Sequence, residues 1–564
     1  MPEAASRSQP QLLRQAQSGT PLATALQPAP VPHRRTAARP ASGLDGGERQ
    51  RIVETLLTVL SGAYCHLPQK RAAYAADVVQ ALALLKVRAS SLSEAQFHLE
   101  LTSLITGMRD AHTRYSGPAS MRGAVAVLPF LVEQYGPVER PRFIVSKVAE
   151  GAVDDCPEFK PGVTLESWSG IPFARAVELH AARETGGRPD SRIARALDSL
   201  TFRALEYGPP PDEAWVAIGF RAGRSLREVR IPWRIVRPRA GPSGHQPGSR
   251  ASRFIAADPT GEARRRARKL MFSGSLWASE LARGPQPRGA GWLATCLQDN
   301  LSARTVAVKG APPLAYLRVW SFDVEDDDAF IEEVCRLLPL LPADGLILDL
   351  RGNPGGLIWA AERMLQLFSS QPITPVRFSL LATTLTRAIA RSPFNRLELG
   401  AWSDSLDAAL WTGETYSQPL PMTEAEWCND IGRRYAGPVV CVVDANTYSA
   451  GDIFAAGFVD TRLGPLVTVG EASGGGGANV WTSIDLHDVL ADTPFAVEAL
   501  PDGEQYTMAI RRITRIGASE GLPLEDVGVH GIPYAMTRED LLQDNADLLA
   551  FCRQQLAQGA AGAG

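Results

Sequence analysis

Apolar residues recur at three- and four-residue spacing in "RIVETLLTVLSGAY", "AAYAADVVQALALLKV" and "SLSEAQFHLELTSLITGM". That is the period of amphipathic helices. Ser93 and Gln96 form a candidate capping box for the third of them. Shorter apolar runs bounded by Pro and Gly follow. "AVAVLPFLVEQYG" and "PRFIVSKVAEGAV" predict strands, "FKPGVTLESWSGIPFARAVELH" a strand, turn and helix, and "EAWVAIGF" with "SLREVRIPW" a closing hairpin. From about residue 310 strands and helices alternate. "PPLAYLRVWSF", "DGLILDLRGNPGG", "GPVVCVVDANTYSAG" and "PLVTVGEASGGGGANVW" predict buried strands, and "DDAFIEEVCRLLPLL", "IWAAERMLQLF" and "DIFAAGFVD" the helices between them. Such alternation implies a parallel sheet with crossovers. Ligands of open α/β sheets collect beyond the carboxyl ends of the strands. Gly355, Gly356 and Ser449 all stand just after such ends.

The pattern divides the chain. Residues 1–46 are a Pro/Ala/Gly-rich tail expected to be disordered, with a transit peptide as the weaker alternative. Residues 47–118 are helical, 119–236 a mostly β module, 237–300 a linker and 301–556 the α/β core. The Arg-rich stretch "EARRRARKL" in the linker reads as a solvated helix, because no aromatic residues interleave with it.

With 564 residues the chain is too long for one ordinary core. A formal net charge of -3 points to neither nucleic acid nor an acidic membrane surface. No apolar run is long enough to span a bilayer, and the N-terminus lacks the apolar core of a secretory signal. The seven cysteines are scattered, without a CxxC, which fits a reducing compartment; a cytoplasmic location is expected. No HExxH and no GxxxxGK[ST] occurs, so no metal and no organic cofactor is expected.

Candidate chemistry centres on "VVDANTYSAGDIF". A serine at a strand-to-helix turn has free backbone N–H groups beside it, and these are what a developing oxyanion needs. The same serine, with Asp452 three residues on, also fits a helix N-cap worth about 1 kcal/mol. Turn chemistry alone leaves both readings open. The stretch is not a GxSxG elbow, because Thr447 stands at the first glycine position. By itself "GGGG" at 474–477 reads as a flexible loop.

Taken in order, "LILDLRGNPGG", "VVDANTYSAGDIFAAGF", "VTVGEASGGGGANVW" and "EDVGVHGIPYAMTREDLL" resemble the C-terminal processing (tail-specific) proteases, a family that includes the tricorn core protease. The resemblance spans roughly residues 50–555. It implies a ClpP/crotonase-like α/β core joined to a PDZ-like β module and an N-terminal helical region. It also implies a serine peptidase acting on peptide or protein substrates, with Ser449 as nucleophile and the amides of Ala450 and of Gly355 or Gly356 as oxyanion donors. The bacterial branch of the family uses a lysine that follows the serine, but the last lysine here is Lys309. A dyad would need an earlier lysine to fold in. The tricorn-like branch uses a histidine from a "D-G-H" turn. "RDAHT" matches it with Ala111 in place of the glycine, which implies His112 as base, with Asp110 shaping the turn. The implied third member is Glu525 of "PLEDVGVHG", with Asp526 and Glu520 as competitors. His530 falls where the family commonly has "P-D". Two rivals remain: a non-catalytic binding protein on the same fold, and an esterase.

Overall fold

The structure is a computed structural model. It describes residues 43–153, 155–238, 251–272, 292–308, 311–395, 399–501 and 504–562. The tail expected to be disordered lies, up to residue 42, outside them.

The α/β part is built on a seven-stranded sheet in the order Trp292–Leu293, Leu301–Val308, Ala311–Val319, Leu346–Asp349, Val439–Asp444, Leu466–Val469, Ile532–Tyr534. From Ala311–Val319 onward every pairing is parallel. Strand Val439–Asp444 is nearly all Val and is buried on both faces, as a central parallel strand must be. It ends in a turn at Ala445–Tyr448, and helix Ala450–Asp460 starts there. The neighbouring strand Leu346–Asp349 ends in the turn that leads to Gly355 and Gly356.

A second, mostly antiparallel sheet lies over these carboxyl ends. It contains Gly355–Leu357, Ile255–Ala257, Ala478–Thr482, Gln505–Thr514, Arg377–Leu380 and Leu420–Pro421, and short strand Arg114–Ser116 pairs with Gln505–Thr514. The N-terminal helices Gly46–Gly62, Val78–Arg88 and Glu94–Gly107 bury Ile52, Leu56, Leu85, Phe97 and Leu101 in the same hydrophobic cluster as the α/β core. The capping box at Ser93 and Gln96 is formed.

The β module has its own core around Phe130, Phe159, Phe220 and Trp168. Its sheet runs Phe130–Tyr135, Arg142–Val148, Thr164–Trp168, Trp215–Ala222, Ser225–Pro232, with Phe130–Tyr135 at an edge. The Arg-rich helix, Pro259–Phe272, departs from the solvated linker expected of it. Arg264 and Arg265 are buried; Arg264 pairs with Glu184 and Arg265 with Glu262. Ala267 and Met271 pack against Val125, Val127 and Phe202. Composition suggested solvent because Arg is usually exposed, but paired carboxylates let these guanidinium groups be buried.

Candidate active site

Ser449 occupies the turn between strand Val439–Asp444 and helix Ala450–Asp460, with φ 64° and ψ -117°. A positive φ is strained for a residue with a Cβ. Two features hold it there. The Ser449 N–H donates to Asp452 Oδ2 at 2.9 Å, and the Tyr448 N–H to the Asn353 carbonyl at 2.8 Å. Ser449 and Asp452 thus form the capping box that the turn offers. The Ser449 Oγ lies 2.5 Å from His112 Nε2. Both residues are fully buried.

His112 arrives from an Asx-type turn. Asp110 Oδ1 accepts the His112 backbone N–H at 2.8 Å. The His112 carbonyl accepts from Thr507 Oγ1 at 2.8 Å, which ties the turn to the long strand Gln505–Thr514. The imidazole lies 4.8 Å from the Tyr448 ring, centroid to centroid, and Arg195 of the β module covers that ring. Burial pushes the His112 pKa down to about 4, against the pull of Asp110. Its other nitrogen, Nδ1, is buried without a hydrogen-bond partner among the described residues. Asp110 Oδ1 lies 3.9 Å from it.

The glycine turn meets the serine as its position after the strand suggested. A Cβ on Gly355 would stand 2.8 Å from Ser449 Cβ and 2.9 Å from the Ala450 nitrogen. Only glycine allows that approach. The Gly355 N–H donates to Asn353 Oδ1 at 2.9 Å. Gly356 packs on Phe322, where a Cβ would come within 2.0 Å of the carbonyl carbon. Strand Ile255–Ala257 pairs antiparallel with Gly355–Leu357.

Glu525 is fully enclosed beside this pair but makes no hydrogen bond to His112. It takes Lys70 Nζ at 2.5 Å and the Gly477 N–H at 3.0 Å. Burial pushes its pKa up to about 7, against the pull of Lys70 and His66. Of the competitors, Asp526 also binds Lys70, at 2.6 Å, and Glu520 pairs with Arg377 in an exposed contact. His530 is exposed.

An earlier lysine does fold in, but it does not bond the serine. Lys70 binds Glu525, Asp526 and the Arg109 carbonyl, and these carboxylates raise its pKa against burial. Sequence reasoning missed Lys70 and its neighbour His66. Nothing in "YCHLPQK" signals them, because residues some 455 positions away complete their surroundings.

The glycine loop is packed rather than loose. Gly475 and Gly476 N–H groups donate to Asp452 at 3.2 and 2.7 Å. A Cβ on Gly476 would meet the Tyr448 ring at 2.4 Å, and one on Gly477 the Glu525 nitrogen at 2.4 Å.

Residues 313–516 match the profile of Peptidase family S41. That stretch is similar to the serine-type peptidases of this family. No curated protein matches the sequence. Among solved structures, mature CPAF is 16% identical, with a TM-score of 0.63, covering 92% of this chain and 98% of that one. A structure of mature CPAF complexed with lactacystin is 16% identical, with a TM-score of 0.61, covering 91% and 98%. At such identity the likeness is one of fold, and it extends through the helical region and β module as well as the S41 core.

No helix among the described residues is long and apolar enough to cross a membrane. His66, Asp110 and Glu525 bring potential metal-ligating atoms within 4.8 Å of one another. The donor set does not suit a cation: Lys70 already sets its ammonium on Glu525.

Proposed function

We propose that this chain is a serine peptidase that hydrolyses peptide bonds with Ser449 as nucleophile and His112 as base, through an acyl-enzyme, with Glu525 in the buried carboxylate network behind the histidine. What supports the reading most is the 2.5 Å contact of Ser449 Oγ with His112 Nε2 at the start of a helix. Nε2 takes the hydroxyl proton as Oγ attacks the scissile carbonyl, and returns it to the leaving amine. The oxyanion would be stabilised by the N–H of Ala450 and that of Gly356 or, once released from Asn353 Oδ1, of Gly355. Donors of this kind contribute about 2.7–4 kcal/mol each. Water then attacks the acyl-enzyme with His112 again as base.

The β module has the element pattern of a PDZ-like domain, and its edge strand Phe130–Tyr135 suits an extended peptide by strand addition. A cleft of about 1380 Å³ runs from that strand to Arg351, Gly352 and Pro354 beside the glycine turn. Neither Ser449 nor His112 lines it, so a substrate in the cleft would have to reach past the glycine turn.

The test is labelling by a fluorophosphonate probe together with hydrolysis of a peptide amide and a p-nitrophenyl ester. Label on Ser449 and amide turnover, both abolished in Ser449→Ala, are expected. An ester-only activity would assign an esterase, and a folded protein that neither labels nor hydrolyses would assign a binding protein.

A further inference from the structure

The polar groups behind His112 form a single buried chain. Asp110 is fixed from four sides. Oδ1 accepts the His112 backbone N–H, and Oδ2 receives Tyr64 Oη at 2.8 Å, Thr113 Oγ1 at 3.0 Å and His66 Nδ1 at 3.3 Å. His66 Nδ1 is also 3.7 Å from Glu525 Oε2, and its Nε2 is 3.3 Å from the Gly477 carbonyl. Nδ1 thus faces two carboxylates and Nε2 a carbonyl, with the Cys65 thiol also hydrogen-bonded to the ring. These acceptors favour the imidazolium form of His66. Lys70 closes the chain on Glu525 and Asp526. His66 precedes and Lys70 lies within helix Leu67–Tyr74, four residues apart and therefore on one face.

Of the carboxylates, Asp110 is the one held ionised, by His66 and Lys70 against burial. It lies next to a neutral imidazole that becomes a cation when it takes the serine proton. The carboxylate facing that imidazole is Asp110, 3.9 Å from the orphaned Nδ1, and a shift of about 1 Å brings it into hydrogen-bond range.

We propose that Asp110 is the carboxylate that orients His112 and stabilises its imidazolium, and that Glu525 acts one step back, through His66, with Lys70 as its anchor. His66 and Lys70 are then positioning residues. This rests on the Ser449–His112 reading and deepens it. No proton need travel along the chain: Asp110 stays ionised and the imidazolium is matched electrostatically.

The experiment compares Asp110→Asn, Glu525→Gln and His66→Gln in the full chain with Ser449→Ala, measuring kcat/KM on a peptide amide against pH and checking folding by near-UV circular dichroism. The groups acting on His112 are Asp110, His66, Asp258 and Arg195, so each variant has a signed effect. Asp110→Asn is expected to lose about 10⁴-fold in activity, the size seen when a triad carboxylate becomes an amide, and Glu525→Gln clearly less. His66→Gln removes a cation, so the acid limb of the profile should rise by about one pH unit; a merely structural role for His66 would leave the limb where it is. If Glu525→Gln is as inactive as Ser449→Ala while Asp110→Asn stays within tenfold of the parent, the assignment of Asp110 is overturned. If the limb does not move in folded His66→Gln, its place in the chain is overturned. Should His66→Gln not fold, the other pair still decides. Full activity in Ser449→Ala would instead overturn the underlying reading.

Discussion

At the level of single residues, the base controls the pH response. An exposed histidine would titrate near 6.5, but burial holds His112 near 4. Below that value the imidazole is protonated and cannot take the serine proton; above it the base is free. Activity should therefore rise through an apparent pKa of about 4 and be flat by pH 6. A kcat/KM profile still rising between pH 6 and 7 would contradict the buried geometry. His112→Ala should lose orders of magnitude in kcat. A lysine variant that is dead beside a normal His112→Ala would restore a Ser–Lys mechanism, and Lys70→Met is the one to compare. Chelation should leave the rate unchanged, because the one cluster with metal-like spacing among the described residues already holds the ammonium of Lys70; loss in EDTA restored by zinc would show otherwise. Ser449 and the glycine turn were marked by strand ends, whereas His112 was implied only by the family resemblance, because a lone turn histidine is no signal by itself. His66 and Lys70 were not legible, because their roles exist only once residues 64–70 meet 110 and 525.

Elements reveal what composition conceals. The run "GGGG" looked loose because glycine is permissive. Here it is permissive for close approach: the loop passes so near Tyr448 and Glu525 that side chains do not fit. Gly477→Ala should therefore lose about 1–3 kcal/mol, the usual cost of overpacking a filled site, and lose activity as the turn carrying Glu525 is pushed away. A melting temperature and rate matching the parent would mean the loop moves aside freely. The same lesson applies to helix Pro259–Phe272, where charge-rich sequence met buried partners. Helix periods and the βα alternation were readable throughout, because they depend on spacing alone; burial of Arg264 was not, because Glu184 lies in another part of the chain.

For the whole molecule, the boundaries drawn from pattern are not lines of weakness. Arg195–Asp258 and Arg264–Glu184 tie the module to the segment 251–272, and Arg188 Nη1 ties it to the core at the Val527 carbonyl, 3.0 Å away. The Gly136 N–H reaches the Met536 carbonyl at 2.9 Å, and Arg538 reaches the Gly162 carbonyl at 2.7 Å. The helical region shares its core with the peptidase sheets. One cooperative thermal transition is expected by calorimetry, despite the length of the chain. Two resolved peaks would show that the module melts by itself.

The backbone at Ser449 has one more implication. A side chain held at φ 64°, ψ -117° costs the fold about 1–3 kcal/mol. Glycine would rest there without that cost, less about 0.4–1 kcal/mol for its freer unfolded chain. Ser449→Gly should then melt above Ser449→Ala, two variants equally without a nucleophile. Were folding alone to choose, position 449 would hold glycine like its neighbour two residues on. The serine is there at the expense of the backbone, a cost that the proposed nucleophilic role accounts for.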